Sequence, residues 1–141
     1  VDPESYNNYL RPKMEIVRTA QSLIDQGHPK KATEIMDLYF KNFPEDRFPY
    51  DASVLAYADF YYKAGEKEKA TKIVERIAQV TCQNLDYYNS FSAENKPAFN
   101  DESQTSLSIL KRLNYMATEY QQPKLAAKMD SLFNFQMKRY K

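Results

Sequence analysis

The chain contains only two glycines, and both occupy the same position in a repeated pattern. The stretches SLIDQGHPKKA (22–32) and FYYKAGEKEKA (60–70) place Gly27 and Gly65 38 residues apart. In each stretch an alanine, Ala32 or Ala70, follows the glycine five residues later. Glycine is favoured where a helix ends in a left-handed residue, and a small side chain lets two helices pack closely. The pattern therefore predicts two helical hairpins, each with glycine at its corner and alanine at its helix crossing.

A third corner is predicted further along the chain. The segment QPKLA at 122–126 resembles HPKKA at 28–32, with Ala126 in the place of Ala32. Gln121 stands where the other two corners have glycine. The third hairpin is therefore expected to be a degraded copy of the first two.

The hydrophobic pattern is helical along almost the whole chain. Ala32, Ile35, Met36 and Tyr39 are spaced by three and four residues, and similar stripes recur on either side of each corner. No comparable alternating pattern is present, and two glycines are too few for a protein built of hairpin turns and bulges. We predict an all-α fold whose six helices span about 10–26, 29–43, 51–64, 66–90, 101–121 and 123–140.

Prolines and polar residues mark the expected helix ends. Pro29 and Pro123 suit the first turn of a helix, where the missing amide hydrogen is not needed. Asp51 and Asn100 are predicted to cap the third and fifth helices. The segment 89–100, which has no regular period, is predicted to be a long loop.

Charge and hydropathy exclude several classes of partner. The net charge is +1 and no long run of one sign occurs, so neither nucleic acid nor an anionic membrane is an expected partner. The longest mostly apolar stretch, 54–62, is interrupted by Asp59 and is too short to span a bilayer, so direct membrane insertion is not expected. Because the sequence opens without methionine or a signal peptide, we expect a soluble piece of a longer protein.

The hairpins resemble the tetratricopeptide repeat, in which a small residue, an aromatic residue, a glycine and an alanine recur in this order. The second hairpin carries the resemblance at Tyr57, Ala58, Tyr61, Gly65, Ala70, Val74 and Ile77. The first hairpin carries it at Thr19, Ala20, Leu23, Gly27, Ala32, Met36, Tyr39 and Pro44. The third keeps Leu110, Leu113, Ala117, Ala126 and Phe133, but departs from the pattern at Asn114 and Asp130.

This resemblance implies one tetratricopeptide-like domain over residues 1–141. Its hairpins would span about 10–43, 51–90 and 101–140 and would stack into a right-handed superhelix. The period of 38 residues is longer than the usual ~34 of the family. We therefore expect a variant of the repeat and not a regular array.

A second resemblance rests on three segments in order, LIDQGHPKKA, FPYDASVLAYADFYYKAGEKEKATKIVERIA and LDYYNSF. Over about residues 10–135 the chain resembles the soluble C-terminal segment of a large multispanning membrane protein family common in Bacteroidetes. The membrane part of that family is similar to glycosyltransferases of the O-mannosyltransferase type. The resemblance implies a non-catalytic interaction or substrate-docking domain on the periplasmic face of the inner membrane. The family's catalytic carboxylates, if present, would lie in the membrane part, and none is carried onto this chain.

The repeat resemblance also implies a binding surface. In such arrays the first helix of each hairpin lines the concave face, where mixed charges and tyrosines suit a peptide, a glycan or the membrane part of the same polypeptide. The alternatives are a merely solvated face and a free-standing cytoplasmic adaptor that binds peptides. The predicted outward positions are Gln21, Asp25, Asp59, Tyr62, Lys63, Lys111, Tyr115 and Glu119.

Residues with catalytic potential are few, and each has a simpler interpretation. His28 is the only histidine and suits an exposed turn, so no metal site is expected. Cys82 is the only cysteine and suits a half-buried helix position, although a nucleophilic pair with His28 is formally possible. The acidic pairs Glu45–Asp46 and Asp101–Glu102 are expected to be solvated groups at helix starts and loops. We predict no cofactor and no enzymatic activity in this chain alone. Besides the accessory domain and the free-standing adaptor, a further alternative is a small enzyme with a cleft beside 89–100.

Overall fold

A computed structural model describes residues 3–43 and 52–140, with side chains from residue 14 in the first range and residue 53 in the second. The described residues form six α-helices and two short 3₁₀ segments and include no β-strand. The all-α prediction is therefore confirmed. The helices are α1 Pro3–Asp25, α2 Pro29–Asn42, α3 Leu55–Lys63, α4 Lys67–Asn89, α5 Asn100–Glu119 and α6 Pro123–Tyr140.

The chain divides into two compact units, Val1–Ile73 and Val74–Lys141. The boundary falls inside α4, so α3 belongs to the first unit and most of α4 to the second. In the first unit α1, α2 and α3 pack against one another. In the second unit α5 packs along α6 and against the 3₁₀ segment Lys96–Phe99.

The corner after α1 closes as the glycine pattern predicts. Gly27 has φ +80°, and its amide donates to the Ile24 carbonyl at 3.0 Å. The next amide, of His28, donates to the Leu23 carbonyl at 2.7 Å. This pair of hydrogen bonds satisfies two carbonyls that a helix end otherwise leaves unpaired. The amide of Ala32 then donates to the His28 carbonyl, which starts α2.

The other two corners repeat these hydrogen bonds residue for residue. After α3, Gly65 has φ +83° and donates to Tyr62, while Glu66 donates to Tyr61. After α5, Gln121 has φ +57°, the one positive φ of a non-glycine residue in the described ranges. Its amide donates to Thr118 at 3.1 Å, and that of Gln122 to Ala117 at 2.8 Å. The substitution of glutamine for glycine leaves the corner geometry intact.

Aromatic rings form the centre of the first unit. Tyr57 of α3 is fully buried and stacks on Tyr39 of α2 with ring centroids 4.8 Å apart. Phe40 meets the Tyr57 ring edge-on at 5.2 Å. The Tyr61 hydroxyl donates to Asp37 at 2.6 Å, and Lys69 binds the second oxygen of the same carboxylate at 2.8 Å. The Tyr61 ring is therefore buried, while its hydroxyl lies at a polar edge of the aromatic cluster.

The crossing alanines explain how the hairpins close. Ala32 and Ala70 are completely buried, as the small-residue pattern predicts. Ala126, their counterpart in the third hairpin, is only half-buried. There the Asn114 side-chain amide of α5 donates to the Ala126 carbonyl of α6 at 2.8 Å. Asn114, which departs from the repeat pattern, therefore provides a hydrogen bond between the two helices of the hairpin.

Some predicted boundaries need correction. Asn100 is the first residue of α5 and not its cap; Phe99 holds the cap position without a side-chain hydrogen bond. The segment 89–100 is not entirely a loop, since Lys96–Phe99 is a 3₁₀ turn. The third helix is preceded by a 3₁₀ segment at Ala52–Val54, and the expected Asp51 cap lies outside the described residues.

Candidate functional site

A cavity of about 480 Å³ lies in the first unit on the exposed side of α1, with one wall from α3. Its polar rim comes from positions 18, 21, 22 and 25 of α1, which share one helix face because they are spaced by three and four residues. Two predicted binding residues belong to this rim, Gln21 and Asp25. The complete lining is Val17, Arg18, Gln21, Ser22, Asp25, Gln26 and Phe60.

Hydrogen bonds within α1 arrange the polar rim. The Gln21 amide donates to the Asp25 carboxylate at 2.8 Å, one helical turn away. The Gln26 amide donates to the Ser22 hydroxyl at 2.9 Å. Arg18 is exposed and makes no hydrogen bond or ion pair to the described residues. The rim therefore offers five guanidinium donors and one carboxylate to a bound chain.

Phe60 is the residue that α3 contributes to the cavity, and two further predicted residues, Asp59 and Lys63, lie on the same helix without lining the cavity. Phe60 is 4% exposed, and the ammonium of Lys63 lies 6.0 Å from its ring centroid. Lys63 also pairs with Asp59 at 3.2 Å, one turn earlier on the same helix. Because both groups are partly solvated, this pair contributes little to stability, about 0–1 kcal/mol.

Tyr62 does not occupy the solvent-facing position that the repeat analogy assigns to it. Its side chain is buried, 6% exposed, and its hydroxyl forms a 2.8 Å hydrogen bond with Thr71 of α4. The helix α3 has nine residues and buries almost every face, so a tyrosine next to Phe60 and Tyr61 has no outward side to occupy. The expectation of an exposed Tyr62 is wrong.

The remaining predicted residues lie in the second unit, on α5. Tyr115 is 66% exposed, and Glu119 lies one turn further along the same exposed face. Lys111 holds its ammonium 5.0 Å from the ring centroid of Phe133 on α6, a distance at which cation–π attraction is significant. The surface of α5 thus presents one exposed aromatic ring, Tyr115, with the cation Lys111 and the anion Glu119 one turn away on either side.

A separate polar cluster joins α4 to α6 in the second unit. The buried Gln136 amide donates to Asp86 at 3.1 Å, and the guanidinium of Arg139 binds the same carboxylate. The Gln136 hydrogen bond lowers the pKa of Asp86, and Arg139 lowers it further. Burial raises the pKa of the nearby Cys82 thiol, and the charge of Asp86 adds to that rise. Since the thiolate is the reactive form, this environment disfavours nucleophilic chemistry at Cys82.

His28 holds the cap position of α2 with its side chain exposed and makes no side-chain cap hydrogen bond. It belongs to the first unit and Cys82 to the second. Within the described ranges, no three His, Cys, Asp or Glu side chains come together as a metal site would require. The pair Glu45–Asp46 lies outside the described residues.

Sequence reasoning missed five of the seven residues that line the α1 cavity: Val17, Arg18, Ser22, Gln26 and Phe60. Arg18 and Ser22 could have been found from Gln21 and Asp25, because they follow the same helical spacing. The sequence did not indicate that Phe60 lines a cavity, because a phenylalanine between tyrosines of a helical core stripe is expected to be a core residue.

Comparison with known proteins adds no relative: no family model, no curated protein and no solved structure matches this chain. Among helices of the described residues, none combines the length and apolarity needed to cross a membrane.

Proposed function

We propose that this chain is a non-catalytic interaction domain of tetratricopeptide-like architecture, which holds a polypeptide segment against the first helices of its hairpins. The observation that carries this proposal is the α1 cavity, where Gln21 and Asp25 flank the aromatic surface of Phe60. A buried aromatic wall with a polar rim is the usual composition of a site that anchors a few side chains of a partner. The repeated corner hydrogen bonds support the repeat architecture.

The proposal includes a context for the domain. As the extracytoplasmic accessory domain of a membrane glycosyltransferase-like protein, it would dock the acceptor substrate or the membrane part of its own polypeptide. As a free-standing adaptor, it would dock a separate protein. The encoding reading frame separates these contexts, because several apolar spans of ~20 residues upstream of Val1 are required by the first and not by the second.

Site-directed photo-crosslinking tests the docking surface directly. A photoreactive amino acid at Ser22, on the cavity rim, and at Tyr115, on exposed α5, should form crosslinks to a polypeptide in the native cell. The matched control is Glu34, which is exposed on α2 and does not line the cavity. Mass spectrometry of the crosslinked product identifies the partner as the same polypeptide or as another protein. Equal yields at Ser22, Tyr115 and Glu34 would refute the docking surface.

Charge substitution then tests the chemistry of the rim. Arg18→Gln removes the exposed guanidinium, whereas Lys31→Gln removes an exposed charge from α2. We expect the crosslink at Ser22 to fall about tenfold with Arg18→Gln, the effect of losing one charge-assisted hydrogen bond, and to persist with Lys31→Gln. An unchanged crosslink with both variants would show that Arg18 takes no part in binding.

A further inference from the structure

A second cavity, in the second unit, has a lining that points to a small ligand. It has a volume of about 330 Å³ and lies between the segment 93–97, the start of α5 and the end of α6. This volume falls at the lower end of the range that small-molecule sites occupy, roughly 300–1,000 Å³. Its lining consists of Ala93, Lys96, Pro97, Asn100, Ser103 and Tyr140.

Two acceptors of this lining, the Asn100 side-chain oxygen and the Tyr140 hydroxyl oxygen, each already accept a hydrogen bond. The Tyr140 hydroxyl donates its proton to the Asn100 side-chain carbonyl and accepts a hydrogen bond from the Gln104 amide at 3.0 Å. Tyr140 therefore has no donor left for a ligand. Asn100 retains the two N–H groups of its amide, while its oxygen is in use.

The donors, by contrast, are largely unused. The Lys96 ammonium spends one of its three N–H groups on the Arg139 carbonyl, at 2.9 Å. Ser103 is 6% exposed, lines the cavity, and makes no hydrogen bond with the part of the chain that the structure describes. No group of the described residues uses the Ser103 hydroxyl, so it is available as a donor to a ligand in the cavity.

Charge limits what that ligand is. Lys96 is the one cation in the lining, and the exposed Asp101 and Glu102 of the first turn of α5 do not line the cavity. The nearby Arg139 guanidinium is paired with Asp86. A dianion such as a phosphate monoester would meet a single cation in the lining, whereas a monoanion with two acceptor oxygens matches Lys96 and Ser103.

We propose that this cavity binds a carboxylate group, with the Lys96 ammonium and the Ser103 hydroxyl as its two anchors and the Asn100 amide as a third donor. Two N–H or O–H groups from different elements fit the two oxygens of a carboxylate. The site is distinct from the α1 cavity, and its occupancy does not depend on polypeptide docking there. The carboxylate belongs either to a small organic acid or to the C-terminus of a short peptide.

NMR titration of the full chain tests the site with defined probes. The first probe is N-acetylglycine, and its neutral isostere N-acetylglycinamide is the matched control at constant ionic strength. The expected result is saturable amide shifts confined to residues 93–103 and the end of α6 with the acid, and none with the amide. N-acetyl-trialanine with a free C-terminus, compared with its amidated form, shows whether a peptide terminus binds more tightly than the small acid.

Variants locate the anchors. Lys96→Gln keeps a donor for the Arg139 carbonyl but removes the charge, and Ser103→Ala removes only the hydroxyl; each should weaken binding about tenfold. Ser103→Leu removes the hydroxyl and places a larger side chain at the anchor position in the cavity, and should abolish the saturable shifts. Ser106→Ala is the matched control, since Ser106 is also 6% exposed on α5 but does not line the cavity, and should bind within about twofold of wild type.

The amide spectrum of each variant also reports whether its fold is intact. Two outcomes would overturn the proposal. One is equal shifts with the acids and their amides. The other is saturable binding of the acids that persists unchanged in Ser103→Leu.

Discussion

The left-handed residue of the third corner allows the corner geometry to be tested by a change that should stabilise the protein. Gln121 has φ +57°, a conformation that costs a non-glycine residue about 1–2 kcal/mol. Gln121→Gly removes this cost but adds about 0.4–1 kcal/mol of unfolded-state entropy. The net expectation is that the free energy of unfolding rises by about 0.5–1 kcal/mol. For a chain of this length the melting temperature should rise by about 2–5 °C.

At the first corner the reverse substitution, from glycine to alanine, should lower the free energy of unfolding. Gly27 has φ +80°, and an added Cβ would meet no atom within 4 Å. Gly27→Ala therefore carries the backbone cost without a steric clash, and should lower the free energy of unfolding by about 0.5–1 kcal/mol.

Urea unfolding followed by circular dichroism at 222 nm measures both changes. Gln121→Ala is the control, because it keeps the left-handed cost and removes only an exposed side chain. Its unfolding midpoint should stay close to that of wild type. The reasoning fails if Gln121→Gly is no more stable than Gln121→Ala, or if Gly27→Ala leaves the midpoint unchanged.

Three further changes test the packing and the charges. Ala70→Leu places a large side chain at a completely buried crossing and should lower the free energy of unfolding by about 1–3 kcal/mol; a neutral effect in urea unfolding would contradict the close crossing. Tyr61→Phe removes the hydroxyl that donates to Asp37 and should cost about 1–2 kcal/mol, and a melting temperature equal to wild type would count against it. The Gln136 hydrogen bond lowers the pKa of Asp86, so its stabilisation is complete above about pH 4 and is lost as the pH falls through the lowered value. Asp86→Asn should therefore flatten the acid side of the stability–pH curve, and an identical acid limb would refute this contribution.

The parts of the fold that depend only on residues close together in the sequence were predictable. Pro29 and Pro123 begin α2 and α6, and Gly27 and Gly65 adopt the left-handed conformation expected of them. Even the third corner followed from its similarity to the first. Such features are decided within a few residues, because a helix end must satisfy its own amides and carbonyls with groups close by.

Burial was less predictable, because it depends on which helices pack together. On α6 the repeat resemblance rests on Ala126 and Phe133, which are only half-buried, whereas the buried positions are Leu125, Met129 and Gln136. Gln136 is polar, so no hydrophobic pattern would select it; its burial depends on Asp86 of another helix.

The candidate site could be predicted from the sequence only in part, because helical spacing shows which residues share a face but not which helices pack against that face. Gln21 and Asp25 were found from the face of α1 that the repeat analogy selects, and the cavity includes both. Tyr62 was misplaced because that analogy assumes a helix with one free face, and α3 has almost none. A cleft beside 89–100 was expected only under the enzyme hypothesis, and the residues that line the donor-rich cavity there were not predicted, since they come from three separate segments and share no spacing.

The hydrogen bond from Asn114 to the Ala126 carbonyl restricts how the two helices of the last hairpin can move against each other. Contacts between apolar side chains tolerate a small rotation of one helix about its own axis, because such contacts have no preferred direction. A hydrogen bond weakens steeply when its angle is distorted, so α6 cannot turn about its axis without losing this one. The rotation of α6 about its own axis is therefore fixed relative to α5 at this one contact. The same contact fixes which side chains of α6 face the solvent.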